Sequence, residues 1–216
     1  MNPPITILYE DEAVLAINKP AHLLVIPDRW DPNKSNLFSI LQRRYPEHKI
    51  YVVHRLDEGT SGLVLFAKTP EAHRHLCQQL QQRRMAKTYL AIVIGEVERD
   101  GVVDLAMGAD RRKKGKMAVQ NQGKESVTEY QILERYRGFT YLKVMPKTGR
   151  THQIRLHLQA IGHPLAVDPV YGERQAIYLS ELKPRYKQKP DAVERPLIDR
   201  LTLHAAEIRF AHPITG

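Results

Sequence analysis

The sequence predicts an α+β fold, a single domain with a mixed, mainly antiparallel sheet flanked by helices and loops. Three observations lead there. Short apolar runs with strand character outnumber helical patterns, the two do not alternate as a doubly wound fold requires, and no repeat divides the chain into stacked units. The strand-like runs occupy residues 5–9, 13–18, 62–66, 88–94, 126–133, 140–145 and 203–210. Each is rich in Val, Ile, Tyr or Thr and bounded by turn residues.

Helical patterns are fewer. Ser35 is placed to cap a helix carrying Leu37, Ile40 and Leu41 on one face. Thr69-Pro70-Glu71 reads as an N-cap, a proline at the first helical position and an acid near the positive helix end. The helix behind it packs Ala72, Leu76 and Leu80 inward and ends near Arg84. A third helix after Gly149 buries Ile154, Leu158 and Ile161 and stops at Gly162, with His152, Arg155 and Gln159 on another face. Two stretches read as loops: the basic run 111–116, and residues 173–200, which are polar and carry Pro184, Pro190 and Pro196.

The 216 residues are enough to bury a core without staples, and the only cysteine, Cys77, excludes an intramolecular disulfide and a C-x-x-C metal site. No basic segment followed by a long apolar run opens the chain, and no stretch approaches the roughly 18 apolar residues of a membrane span. The expectation is a cytoplasmic protein without membrane anchoring. Lys and Arg number 33 against 24 Asp and Glu, a net charge of +9, which points to a polyanionic partner without identifying one.

The segment His54-Arg55-Leu56-Asp57-Glu58-Gly59-Thr60-Ser61-Gly62 places an acid and a cation in a turn-rich stretch just before the apolar run Leu63-Val64-Leu65-Phe66. A carboxylate there can serve as nucleophile or base if a cation holds it ionised and aimed, or it can simply cap a turn. A second segment, Lys147-Thr148-Gly149-Arg150-Thr151-His152-Gln153-Ile154-Arg155-Leu156-His157, sets Arg155 on a helix as a planar donor suited to a carboxylate or a phosphate. His152 with His157, and His73 with His75, have spacings that do not share a helix face, so no metal site is expected on them. In Lys87-Thr88-Tyr89-Leu90-Ala91 an aromatic opens an apolar strand, a position more often filled by a core tyrosine.

Together these segments resemble the RluA family of pseudouridine synthases. The resemblance runs from Asn18-Lys19-Pro20, through H-R-L-D-x-x-T-S-G at 54–62, K-x-Y-x-A at 87–91 and G-R-T-H-Q-I-R-x-H at 149–157, to Leu203-His204-Ala205. N-K-P alone carries little weight; H-R-L-D with T-S-G is highly specific. The resemblance implies a uridine isomerase for ribosomal or transfer RNA. The lack of an N-terminal accessory domain points to recognition of a short stem-loop by the catalytic domain and its loops, and nothing demands more than a monomer. Asp57 would be the catalytic aspartate, Arg155 its ion-pair partner, Tyr89 the tyrosine beside the target base and Arg55 the side chain that fills the space the target nucleotide leaves. Arg150 and His152 fall in the same motif as substrate-binding candidates. Isomerisation gains and loses no atoms, so no cofactor is expected, and the sequence offers no G-x-G-x-x-G or P-loop pattern.

Two departures accompany the resemblance. Residues 174–195 are longer than in compact relatives, and relatives usually continue past the position of Gly216, implying a missing final strand or tail. No room is left for a separate N-terminal RNA-binding domain, since strand-like sequence starts at Ile5. Competing readings are a non-catalytic RNA-binding protein, which would have lost the acid or its arginine, a metal-dependent nuclease, which needs clustered carboxylates, and an electrostatic RNA chaperone, which explains only the charge.

Overall fold

A computed structural model describes residues 5–110, 116–187 and 193–216. Among them the main sheet comprises β1 (Thr6–Glu10), β2 (Val14–Lys19), β3 (Tyr51–Val52), β4 (Ser61–Ala67), β5 (Ala86–Ile94), β6 (Gly101–Asp104), β9 (Val127–Tyr136), β10 (Phe139–Pro146) and β11 (Leu203–Arg209). The strand order is β1-β2-β4-β11-β5-β10-β9-β6, with β3 also paired to β4. Every pairing is antiparallel except β4 with β11, so the sheet is mixed and mainly antiparallel, in agreement with the sequence. The short strands β7 (Met107–Ala109) and β8 (Met117–Val119) form a separate hairpin. These four strands β3, β6, β7 and β8 are too short to stand out from apolar patterning alone.

Alternation along the strands splits the core between the two faces of the sheet. Leu15, Ile17, Val64 and Phe66 meet Leu37 and Leu41 of α1 (Leu37–Arg44). Ala91, Val93, Leu142 and Val144 on the same face meet Ile154 and Leu158 of α3 (Gln153–Ala160). Tyr89 packs against both clusters and so lies between the two helices. On the opposite face, Val14, Ala16, Leu65 and Ala67 meet Ala72 and Leu76 of α2 (Pro70–Gln81). Ile92, Ile94 and Phe139 there meet Ala166, Val167, Ile177 and Ile198.

Local chemistry sets the helix boundaries. The α1 cap is Asn36 and not Ser35: its side-chain oxygen accepts the Ser39 N–H at 2.9 Å. Thr69 caps α2 through Ala72 N–H, as expected, but that helix stops at Gln81, short of Arg84, because Arg83 turns left-handed at φ 56°. Gly162, at φ 84°, ends α3 as expected. Residues 173–200 are not plain loop: they hold the turn α4 (Leu179–Leu182) and a bridge between Ile177 and Ile198, which buries Ile177 against the sheet. Of the basic run, residues 111–115 lie outside the described residues; Lys116 donates to the Val170 carbonyl at 2.9 Å.

The one parallel pairing depends on Gly62. Its φ is 109°, and a Cβ there would lie 2.2 Å from the Ala205 carbonyl oxygen and 2.7 Å from its nitrogen. Backbone, not a movable side chain, blocks the substitution. Gly62→Ala is therefore expected to destabilise the fold by about 3 kcal/mol or more, combining a clash with a strained φ. Chemical denaturation checks this; a loss under about 1 kcal/mol would mean the β4–β11 junction yields easily.

Candidate active site

Asp57 ends an irregular stretch, His54 to Leu56, that leads into β4. Two tethers fix this stretch. His54 Nε2 accepts the Leu65 N–H at 3.1 Å, which requires a neutral ring, and burial with the nearby Lys87 charge pushes its pKa down to about 3. Lys19 is fully buried at the end of β2, and its Nζ donates to the carbonyls of Leu23 at 2.7 Å, Pro20 at 2.9 Å and Glu58 at 3.1 Å. Burial pushes its pKa down to about 8 against the opposing pull of Asp57 and Glu58. A buried ammonium with its three protons placed on three carbonyls holds the residue after Asp57 to the start of the chain.

Arg155 comes from α3, where residues Gln153 to Leu158 are all buried. Its Nη1 lies 3.1 Å from Asp57 Oδ2. The two-point pairing falls elsewhere: Nε donates to Asp168 Oδ2 at 2.8 Å and Nη2 to Oδ1 at 2.7 Å. Asp168 is fully buried and also accepts the N–H groups of Val170 and Tyr171. Burial would raise its pKa, but the hydrogen bonds and charge of Arg155 and those N–H groups outweigh it, and the carboxyl sits below its usual range. Burial likewise opposes the charge on Arg155, and Asp168 followed by Asp57 outweighs it, so the guanidinium stays charged. The Tyr171 ring flanks it, 5.0 Å from the guanidinium carbon.

His152 precedes α3 with a left-handed backbone, φ 57°, a conformation costing a non-glycine residue roughly 1 kcal/mol. That backbone sets its ring between Tyr171, whose hydroxyl is 2.8 Å from Nδ1, and Asp57, whose Oδ2 is 3.8 Å from Nε2. The Tyr171 oxygen already accepts the Met117 N–H, leaving its own proton free to donate to Nδ1. Burial lowers the His152 pKa more than Asp57 raises it. A neutral ring with its proton on Nε2, facing Asp57, satisfies all of these contacts.

Tyr89 projects from β5 into the same cleft, of about 1200 Å3, with Asp57, His152 and Arg155. Burial first, then the Asp57 charge, raise its pKa, so the hydroxyl keeps its proton. Arg55 is exposed on the cleft wall. Arg150 also lines the cleft, with Nε donating to the Glu125 carbonyl at 3.2 Å. Gln159, grouped with His152 and Arg155 by helical spacing, is exposed and does not line the cleft. His157 is a core residue, bonded to Thr128 and the Leu105 carbonyl. Among the described residues no group of three or more His, Cys, Asp or Glu has metal-binding placement.

A profile of the family described as RNA pseudouridylate synthase matches residues 13–160, a span that takes in every site residue named above except Asp168 and Tyr171, which pack behind the cleft. The chain belongs to that family. Ribosomal large subunit pseudouridine synthase D of Haemophilus influenzae is 40% identical, over 100% of this chain and 65% of that protein. The protein of the same name from Nitrosomonas europaea is 41% identical, over 99% of this chain and 60% of its own length. The chain therefore spans less than two thirds of these relatives. Human RNA pseudouridylate synthase domain containing 1 has the same fold, with a TM-score of 0.71, 29% identity, and coverage of 97% of this chain and 81% of that one. For human RNA pseudouridylate synthase domain containing 4 the values are 0.67, 25%, 94% and 82%.

Lys19, Asp168 and Tyr171 escape a reading by sequence. Asp168 does leave a trace, as an acid closing the apolar run Pro164-Leu165-Ala166-Val167; a carboxylate in such a run needs a cation. Asp168→Asn is expected to cost about 3 kcal/mol of stability, since it leaves a buried guanidinium half-paired. By freeing the fork from its angle it should also slow any reaction that depends on the Asp57 carboxylate, by about 10²-fold. Rates measured well below the melting temperature test the second effect; an unchanged rate would make Asp168 a purely structural partner.

Proposed function

We propose that this chain is an RNA pseudouridine synthase that isomerises specific uridines in ribosomal RNA, with residues 1–216 forming one catalytic domain. The observation that carries the reading is the Asp57 carboxylate, one quarter exposed at an open cleft and held by the buried fork of Arg155. The large-subunit ribosomal relatives favour ribosomal over transfer RNA as the substrate. A stem-loop target, a monomeric state and a cytoplasmic setting complete the proposal. Among the described residues no helix is long and apolar enough to cross a membrane.

In this reading the uridine first leaves its stack, at a cost of about a few kcal/mol that cleft cations and an Arg55 filler offset. Asp57 then acts at the ribose, either attacking the anomeric carbon or removing the neighbouring proton to leave a glycal. The bond from the anomeric carbon to the ring nitrogen breaks and the freed uracil turns. A ring carbon bonds to the same anomeric carbon as the carboxylate leaves or the glycal regains its proton; that ring carbon then gives up its proton and the nitrogen gains one. Arg155 aims the carboxylate, with the His152 ring beside it. Tyr89 offers a ring against the base and a hydroxyl that donates but, at its raised pKa, does not serve as a phenolate base. No step draws on a cofactor.

Mapping new pseudouridine in ribosomal RNA incubated with the protein tests the activity. Asp57→Asn should reduce it at least about 10³-fold, equivalent to ~4 kcal/mol of barrier, with the fold retained; a smaller loss removes Asp57 from the chemistry. Arg155→Lys should also be damaging, because an ammonium cannot bridge two carboxylates from fixed angles. Tyr89→Phe should lose turnover but keep RNA affinity; normal turnover would reduce its role to stacking. Arg55→Ala should hurt most on a well-stacked stem-loop and least where the target uridine is already unstacked, and equal losses on both RNAs would argue against extrusion.

A further inference from the structure

The fold contains a second large cavity that the proposed chemistry does not use. On the sheet face away from Tyr89, a groove of about 1290 Å3 lies between β5, β10, residues 177–186 and residues 197–198. It is comparable in size to the reaction cleft, and none of Arg55, Asp57, Tyr89, Arg150, His152 or Arg155 lines it.

Its lining combines flat apolar surface with cations. Leu90, Ile92, Phe139 and Tyr141 rise from the strands, with Tyr136 and Tyr186 beside them. Arg137, Arg174, Lys183, Arg185 and Arg200 contribute positive charge. Among the described lining residues Glu181 is the one acid, and it is already paired with Arg174. The Arg174 guanidinium carbon lies 5.9 Å from the Phe139 ring centroid. Tyr136 is 49% exposed and Leu197 54%, so apolar surface at the mouth stands in water.

The occupant must use both features. An acidic peptide would neutralise the cations yet leave the aromatic surface without flat partners, and a second copy of this chain, at net charge +9, would be repelled. Unpaired nucleotides bring bases that stack on aromatic rings and phosphates that meet cations. The groove also adjoins the cleft: Leu203 lines both, while Asp199 and Leu201 on the cleft side alternate with Arg200 and Thr202 on the groove side.

We propose that this groove binds an unpaired stretch of the substrate RNA that flanks the structure presenting the target uridine. The proposal takes its substrate class from the function proposed above. A strand leaving the cleft would cross residues 199–203, lay its bases against Tyr141 and Tyr186, and place its phosphates near Arg137 and Arg185. The groove would thereby read single-stranded context at a distance from the reacting base.

The test compares a substrate stem-loop with the same stem-loop carrying an oligouridine tail of about ten nucleotides, within the usual range of single-strand sites. Fluorescence anisotropy should show the tail tightening binding to the unaltered protein by about ten-fold, a modest part of what stacking several bases can supply. Tyr141→Leu and the double variant Arg137→Ala/Arg185→Ala should each lose that advantage while keeping the affinity for the bare stem-loop and the turnover at saturating RNA. Photocrosslinking of a 4-thiouridine tail should mark the peptide containing Tyr141. Equal affinity of the unaltered protein for both RNAs, or a tail advantage that persists in both variants, overturns the proposal. So does displacement of the tail by polyglutamate, but not by free oligouridine, which would assign the groove to an acidic protein. If the tail advantage and its loss are seen but no pseudouridine forms, the groove stands and the assigned reaction falls; pseudouridine formed without any tail advantage gives the reverse.

Discussion

The charge of Arg155, buried between Asp57 and Asp168, is the constraint on which the site depends. A guanidinium taken out of water is tolerated only with its N–H groups matched to acceptors, and removing one partner of such a set typically costs about 3–5 kcal/mol. Matching it requires three separate pieces of chain to meet: the stretch before β4, the helix α3, and the turn at 168–171 that also supplies two backbone N–H groups to Asp168. The division of labour within the fork matters. Two nitrogens are committed to Asp168, which fixes the plane of the group, and the third is left pointing at Asp57. Asp57 is thus held from one side and remains open to the cleft from the other.

Much of what looks chemical in the motif segments is mechanical. His54 ties the stretch before Asp57 to β4, Lys19 ties the residue after it to the end of β2, and Gly62 lets β4 approach β11 backbone to backbone. Ser61 Oγ lies 2.9 Å from His204 Nδ1, joining the two strands of the parallel pair from positions far apart in the chain. Each tether restrains the loop bearing the carboxylate, and a shift of about 1 Å at a reacting group can cost about 10²-fold in rate. These residues therefore support the site through its backbone.

The sheet divides the molecule into two working faces. One face holds α1 and α3 with Tyr89 between them, and its polar network narrows to a single carboxylate. The other is closed by α2 at one end and, among the described residues, only partly covered by 177–186 and 197–198 at the other, where cations and rings remain in contact with solvent. The excess of positive charge in the sequence is thus not spread evenly: cations collect in both hollows, one on each face.

Local pattern in the chain carries the sheet class, the seven longer strands, the three longer helices to within a few residues at their ends, and the grouping of Asp57, Tyr89 and Arg155 as candidates. Those features are written in local patterns: alternation, N-cap chemistry and contiguous motifs. The tertiary structure decided what local pattern cannot carry. It gave Arg155 its second partner at Asp168, 13 residues further on. It turned Lys19, an unremarkable letter in N-K-P, into a buried three-carbonyl tether, and His152 into a left-handed hinge beside Asp57. It also buried α3 on nearly every side, where an amphipathic stripe of Ile154, Leu158 and Ile161 was expected. The physical reason is common to all four. A buried charge or polar atom is satisfied by whatever group packing brings within about 3 Å, and that neighbour is chosen by the sheet's pairing, not by proximity along the chain.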